Sequence, residues 1–175
     1  MSGAATAPGG APGAPVLVLA DGLLEPTRAL LLRFGLTLEC VADGAPIPYS
    51  YWGEPEAGLE GSRVWVRSDT PLHSALHEAC HALCMDGARR VALERDAGGD
   101  FDEENAVCCL QIRLADELAG VGAARLMADM DRWGYTFRLG SARAWFEAEA
   151  GEARAWLSRH RLLDAAGRAT GRARA

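Results

Sequence analysis

Three of the chain's four histidines lie in one short segment, TPLHSALHEACHALCMDG, at residues 70–87. Within it, His77, Glu78 and His81 form the pattern HEACH. Residues four apart lie on one face of a helix, so the two imidazoles can reach one ion while Glu78 lies beside them. A catalytic zinc ion takes three protein ligands and a water, whose pKa falls toward neutrality. The pattern therefore predicts zinc hydrolysis with Glu78 as the general base.

A third zinc ligand must come from another segment. The acidic stretch DFDEEN at 100–105 opens the next predicted helix. Within it, Glu103 and Glu104 are the favoured ligands, because each precedes apolar residues at helical spacing and one of them can turn inward. Acidic residues at a helix start are also favoured by the helix dipole alone. The choice between Glu103 and Glu104 stays open.

Other residues near the motif have competing interpretations. His73, one turn before His77, could be a ligand, a partner of a ligand or a residue without a role. Cys80 and Cys84 are favoured as small core residues, whereas thiolate ligation would make a closed, structural site. In RWGYTFRLG, Tyr135 and Arg138 are candidates for stabilising an oxyanion by their position. The competing interpretation is that the aromatic residues there pack the C-terminal helices.

Secondary-structure signals surround the motif. The alternation in SRVWVRS at 62–68 predicts a half-buried strand. The motif helix follows, with Asp69 or Thr70 as its cap and Pro71 in its first turn, and runs to Met85 before the stop signal Asp86-Gly87. Further strands are predicted at 16–20 and 36–41, further helices at 26–34, 102–118, 122–133 and 141–163, and a long surface connection at 43–61.

These elements predict one α+β domain over residues 16–163, between a flexible leader at 1–15 and a flexible tail at 164–175. The expected architecture is a small mixed sheet that packs on the helix with the HEACH motif. The C-terminal half is expected to be mostly helical.

Composition narrows the possible classes. The chain has 175 residues, of which 49% are hydrophobic and 24% charged, as in a globular domain. Its net charge of −6 and the lack of a clustered basic stripe do not favour nucleic-acid binding. No apolar run approaches the roughly 20 residues that cross a bilayer, so no membrane partner is expected. Five cysteines without an export signal predict reduced thiols and a cytoplasmic location. Nothing in the sequence indicates the oligomeric state.

The strand SRVWVRS, the HEACH helix and the following helix DEENAVCCL resemble the core of the zincin metallopeptidases. They are most similar to the small gluzincins of the ImmA/IrrE-type bacterial peptidases, over roughly residues 59–115. The resemblance implies that the α+β domain is a minimal zincin-like domain. The resemblance implies Zn²⁺ held by His77, His81 and a glutamate of the second helix, with Glu78 as base. It also implies a peptide or protein substrate that lies as an added strand along 62–68.

Two other classes stay open. A zinc-stabilised interaction module would use the histidines with cysteine or glutamate ligands in a closed site and would have no catalytic activity. The second is a helical binding protein without a metal.

Overall fold

Within residues 15–175, three strands and seven helices form an α+β fold, which confirms the predicted fold class. This is a computed structural model, and it describes residues 15–175, so the predicted leader lies outside the described residues except at position 15. The strands are β1 (Thr37–Cys40), β2 (Gly58–Glu60) and β3 (Arg63–Val66). The helices are α1 (Leu24–Leu32), α2 (Leu72–Cys84), α3 (Gly87–Ala92), α4 (Phe101–Ala115), α5 (Gly122–Trp133), α6 (Ala142–Ala148) and α7 (Gly151–Arg159).

The sheet has the order β1-β3-β2, with β1 parallel and β2 antiparallel to β3. Val64 and Val66 of β3 are fully buried, as the alternating sequence predicts. However, β3 is the central strand. The expectation that it forms an edge for an added substrate strand is therefore wrong, because both of its edges already pair with strands of the sheet.

The outer edge of β2 is also covered. The backbone N–H of Arg95 donates to the carbonyl of Leu59 at 3.0 Å, and the N–H of Gly61 donates to the carbonyl of Leu93 at 3.1 Å. The segment before α4 thus occupies the place that an added strand would take. This covered edge belongs to the stretch 43–61, which is not a plain surface connection, since it contains β2 and the buried Glu56 and Ala57.

The motif helix α2 is buried along its whole length, from Leu72 to Cys84. It packs against β2 and β3 on one side and against α4 and α5 on others. Its predicted caps are wrong, because the extended Pro71 precedes the helix and no side chain caps it. Thr70 accepts a hydrogen bond from the N–H of Arg67 instead, and Asp69 pairs with the Arg67 guanidinium at 2.7 Å.

Helix α4 is the centre of the C-terminal half and contacts α2, α5 and α7. The predicted helix at 141–163 is two helices, α6 and α7, with a break at Glu149 and Ala150.

The predicted strand at 16–20 is reduced to one bridge, from Val18 to Pro71, and a 3₁₀ turn over Leu19–Asp21. Helix α3, which the sequence analysis does not predict, begins at Gly87 with Asp86 as its cap.

The segment 164–175, predicted as a flexible tail, lies against the end of α2. The N–H of Arg174 donates to the carbonyl of Leu83 at 2.9 Å, and the Arg90 guanidinium donates to the carbonyl of Arg174 at 2.6 Å. The buried apolar core includes residues from Leu19 to Leu163. Among residues 15–175, no helix combines the length and apolar character that would let it cross a membrane.

A glycine in β2 gives a test of this packing. A Cβ added at Gly58 would lie 1.8 Å from the carbonyl oxygen of Pro48, so we expect Gly58→Ala to lower the free energy of unfolding by about 2–4 kcal/mol. The matched control is Gly151→Ala in α7, where the added Cβ meets nothing within 4 Å. Urea unfolding should show a large loss for the first variant and little change for the second. Equal stability of the two variants would contradict the packing of β2.

Candidate metal centre

Side chains of α2 and α4 converge on one point between the two helices. His77 Nε2 and His81 Nε2 lie 3.1 Å apart, and the Glu104 carboxylate oxygens lie 3.3 Å from the first and 3.5 Å from the second. The ligand atoms of these three residues all lie within 4.8 Å of one another. Within residues 15–175, no other group of three or more histidine, cysteine or acidic side chains brings its ligand atoms this close together. Two imidazole nitrogens and one carboxylate oxygen are ligands that zinc commonly takes in proteins.

Gln111 fixes the orientation of the His77 ring. Its amide nitrogen donates to the backbone carbonyl of His73 at 3.0 Å, so its amide oxygen faces His77 Nδ1 at 2.9 Å and accepts from it. The proton of a neutral His77 is therefore on Nδ1, and the lone pair of Nε2 points at His81 and Glu104. This is how a metal-binding histidine is usually held, with its second nitrogen donating to a neighbouring oxygen.

His81 lacks this support. Its Nδ1 is buried and has no hydrogen-bond partner in the part of the chain that the structure describes. Burial, together with the charge of His77, lowers the pKa of His81 to about 4, so its ring is neutral at ordinary pH. The orientation of this ring depends on the packing of α2 and on what its Nε2 binds.

The charges of the group favour a cation at its centre. Burial acts to raise the pKa of Glu104, but His77 and His81 outweigh it and hold that pKa at about 2. Burial acts to lower the pKa of His77, but Tyr135, Cys108 and Glu104 outweigh it, and the pKa lies well above its usual value. The arrangement thus holds a carboxylate and attracts positive charge, either a proton on His77 or a metal ion.

The neighbouring Glu103 points away from the histidines. Its carboxylate accepts from the Arg89 guanidinium at 2.9 and 3.0 Å and lies 3.5 Å from Arg174. Arg89 belongs to α3 and Arg174 to the C-terminal segment, so two elements outside the motif hold Glu103 in place. Of the two glutamates that the sequence leaves open, the structure brings Glu104 to the histidines. The side chain of Asp100 caps α4 by accepting from the N–H of Glu103.

Glu78 lies outside the group of three but lines the same cavity, which has a volume of about 360 Å³. Burial raises the pKa of Glu78 to about 7, and Glu56 and Glu104 act in the same direction against the opposing effect of His77. The aromatic pair Tyr51 and Trp52 and the segment 95–101 also line the cavity. The geometry thus brings a buried carboxyl group and a ligand-sized space to the three converging atoms.

The other candidates lie elsewhere. The Tyr135 hydroxyl forms a hydrogen bond with His73 Nδ1 at 3.2 Å and accepts one from the Gln111 amide at 3.5 Å. Tyr135 does not line the cavity, and Arg138 pairs with Glu149 near the surface.

His73 is buried and does not belong to the group of three converging ligands. Cys80 and Cys84 are fully buried core residues, and burial raises the pKa of both thiols.

Gln111 is the functional residue that the sequence analysis misses. It lies seven residues after Glu104, which is two helical turns, so both side chains are on one face of α4. That spacing is a signal in the sequence, but it gains meaning only once Glu104 is known to face the histidines. Glu56 is also missed: it is buried, accepts from the Trp133 indole at 2.6 Å, and burial raises its pKa.

Comparison with family models, curated proteins and solved structures finds no match for this chain. The resemblance to the zincin peptidases therefore rests on the motif residues and their arrangement.

The two adjacent glutamates provide a matched pair of variants. Glu104→Gln should weaken zinc binding by more than about 100-fold, since loss of a group that only supports a ligand already costs about 10–100-fold. Glu103→Gln should keep the zinc but lower the free energy of unfolding by about 1–2 kcal/mol, because Arg89 loses its charged partner. Zinc titration and urea unfolding of both variants measure these effects. If Glu103→Gln lost the zinc and Glu104→Gln kept it, Glu103 would be the ligand.

The support of His77 by Gln111 is also testable. Gln111→Leu leaves the Nδ1 proton of His77 without its acceptor, so we expect zinc affinity to fall by about 10–100-fold. Gln111→Glu keeps an oxygen at this position and should retain most of the affinity. Competition with a zinc chelator measures both. If the leucine variant bound zinc like the unchanged protein, Gln111 would have no part in holding the ring.

Proposed function

We propose that this chain is a zinc-dependent metallopeptidase, in which His77, His81 and Glu104 hold the metal and Glu78 is the general base. The observation that carries the proposal is the convergence of the three ligand atoms within 4.8 Å of one another. This group lies in the wall of a cavity that Glu78 also lines. When bound, zinc supplies Lewis acidity and a water with a pKa near neutrality.

The position of Glu78 supports its role as the base. It precedes its neighbour His81 by three residues on the buried helix α2 and faces the cavity, where it can take a proton from a water and return it to the leaving amine. Glu78 is not one of the three converging ligands. Its carboxyl group is therefore available for proton transfer while the histidines and Glu104 hold the ion.

The open side of the group favours catalysis over a closed structural site. The cavity of about 360 Å³ reaches His77, His81 and Glu104, and it gives room for part of a peptide. Because β3 is central and the outer edge of β2 is covered, the substrate adds as a strand to neither of them. It instead reaches the group between the aromatic pair at 51–52 and the segment 95–101.

One observation favours the zinc-stabilised interaction module as a second candidate. The Cys108 thiol, one turn after Glu104 on α4, forms a hydrogen bond with His77. Burial raises the pKa of this thiol, although His77 opposes the shift. Cys108 as a fourth protein ligand would close the site and leave it structural.

The five cysteines support the cytoplasmic location that the sequence predicts. None of them forms a disulfide, and four of them are buried. We therefore propose a reducing compartment for this protein.

Metal content and hydrolysis of a peptide library test the proposed function together. The unchanged protein should hold one zinc, and His77→Ala should lose it. Glu78→Gln should keep the zinc, while hydrolysis falls by about 10²–10⁴-fold. The matched control is Glu147→Gln, an exposed glutamate of α6, which should change neither property.

Two results would contradict the proposal. The first is a protein without zinc. The second is Glu78→Gln with unchanged hydrolysis, because the general base would then be another group. If Glu78→Gln had no effect of any kind and His81→Ala unfolded the chain, the zinc site would be a closed structural one.

A further inference from the structure

One cationic side chain, Arg95, lines the cavity that contains the proposed ligands. Arg95 is exposed, and its guanidinium makes no ion pair or hydrogen bond within residues 15–175. Most arginines of this region are engaged: Arg89 pairs with Glu103, and Arg90 donates to the carbonyl of Met85. The Arg95 guanidinium is thus available to a molecule in the cavity.

The backbone fixes where Arg95 stands. Its φ of 68° lies in the left-handed region, which a residue with a Cβ adopts at a cost. The conformation is held by the hydrogen bond from its N–H to Leu59 of β2. The sheet therefore positions Arg95 at the cavity, next to the segment that leads into α4.

Three acidic residues that line the cavity with Arg95 contact other groups. Asp96 accepts from the N–H of Gly98 at 2.9 Å, and Asp100 accepts from the N–H of Glu103 at 2.9 Å. Glu104 faces the two histidines. Among residues 15–175, Arg95 is the only basic side chain other than histidine that lines the cavity, so a ligand with a carboxylate would find one complementary site there.

The cavity also offers apolar surface. Tyr51 and Trp52 contact each other edge to face with ring centroids 4.9 Å apart, and Tyr51 is half exposed. Phe101, at the start of α4, is also half exposed and lines the same cavity. Three aromatic rings around one opening favour a large apolar side chain in the ligand.

We propose that Arg95 binds a carboxylate of the peptide substrate and that the cavity selects peptides in which this carboxylate adjoins a large apolar side chain. The carboxylate is either the C-terminus of the peptide or the side chain of an aspartate or glutamate. The guanidinium suits both, because it presents a planar set of donors to two oxygens. The inference deepens the proposed function and rests on it for placing a peptide in the cavity.

Peptide binding to the Glu78→Gln protein tests the proposal without turnover. The first probe is an acetylated tripeptide that ends in phenylalanine as the free acid, and the second is its carboxamide. The third is a carboxamide with glutamate before the phenylalanine. We expect the free acid, the glutamate peptide or both to bind about fivefold more tightly than the plain carboxamide, with less preference at high salt. The probe with the higher affinity identifies the source of the carboxylate.

Variants of Arg95 assign this preference. Arg95→Gln in the Glu78→Gln protein should abolish the preference for the carboxylate probes, and Arg95→Lys should keep part of this preference. The matched control Arg172→Gln changes an exposed arginine outside the cavity and should leave it intact. Equal affinity for all three probes, or a preference that survives Arg95→Gln, would overturn the proposal.

Metal content of the same samples keeps the two proposals separate. A protein without zinc that still prefers the carboxylate through Arg95 would refute the peptidase and keep the carboxylate site. A protein with zinc but without this preference would refute the carboxylate site alone.

Discussion

Two imidazole nitrogens and a carboxylate that face one another inside the protein are the constraint on which the site depends. Gln111 places the proton of His77 on Nδ1, so Nε2 meets His81 Nε2 at 3.1 Å and the Glu104 carboxylate at 3.3 Å. A buried carboxylate without a positive partner is costly. The group is therefore stable with a cation among its members, which is the property that a zinc site needs.

The fold keeps these acceptors together by burying α2 completely and packing α4 beside it. Side chains on two rigid, adjacent helices cannot easily turn away from one another. The adjacent glutamates of α4 divide two tasks: Glu104 faces the histidines, while Glu103 joins α4 to α3 and the C-terminal segment through Arg89 and Arg174. The buried face of α4, packed against α2, α5 and α7, sets the rotation of this helix about its axis, and the rotation decides which glutamate reaches the histidines.

The sequence predicts the parts of the site that depend on short-range spacing. His77 and His81 meet because they are four apart on a helix, and the acidic helix start points to Glu103 or Glu104. The choice between them depends on how α4 packs against α2, α5 and α7, which the sequence signals do not reveal. The sequence also does not predict that β3 is the central strand. Strand order is set by tertiary packing, and β2 lies in a stretch rich in turn residues. Whether the site binds zinc remains a prediction.

X-ray absorption at the zinc edge is the most direct measurement of the central claim. For protein loaded with one zinc, the account predicts only nitrogen and oxygen neighbours at about 2.0–2.2 Å, with the outer-shell signal of two imidazoles. This shell should be lost in Glu104→Gln and kept in Glu103→Gln. A sulfur neighbour at about 2.3 Å would place a cysteine such as Cys108 in the shell and make the site structural, and a protein that takes up no zinc would contradict the account altogether.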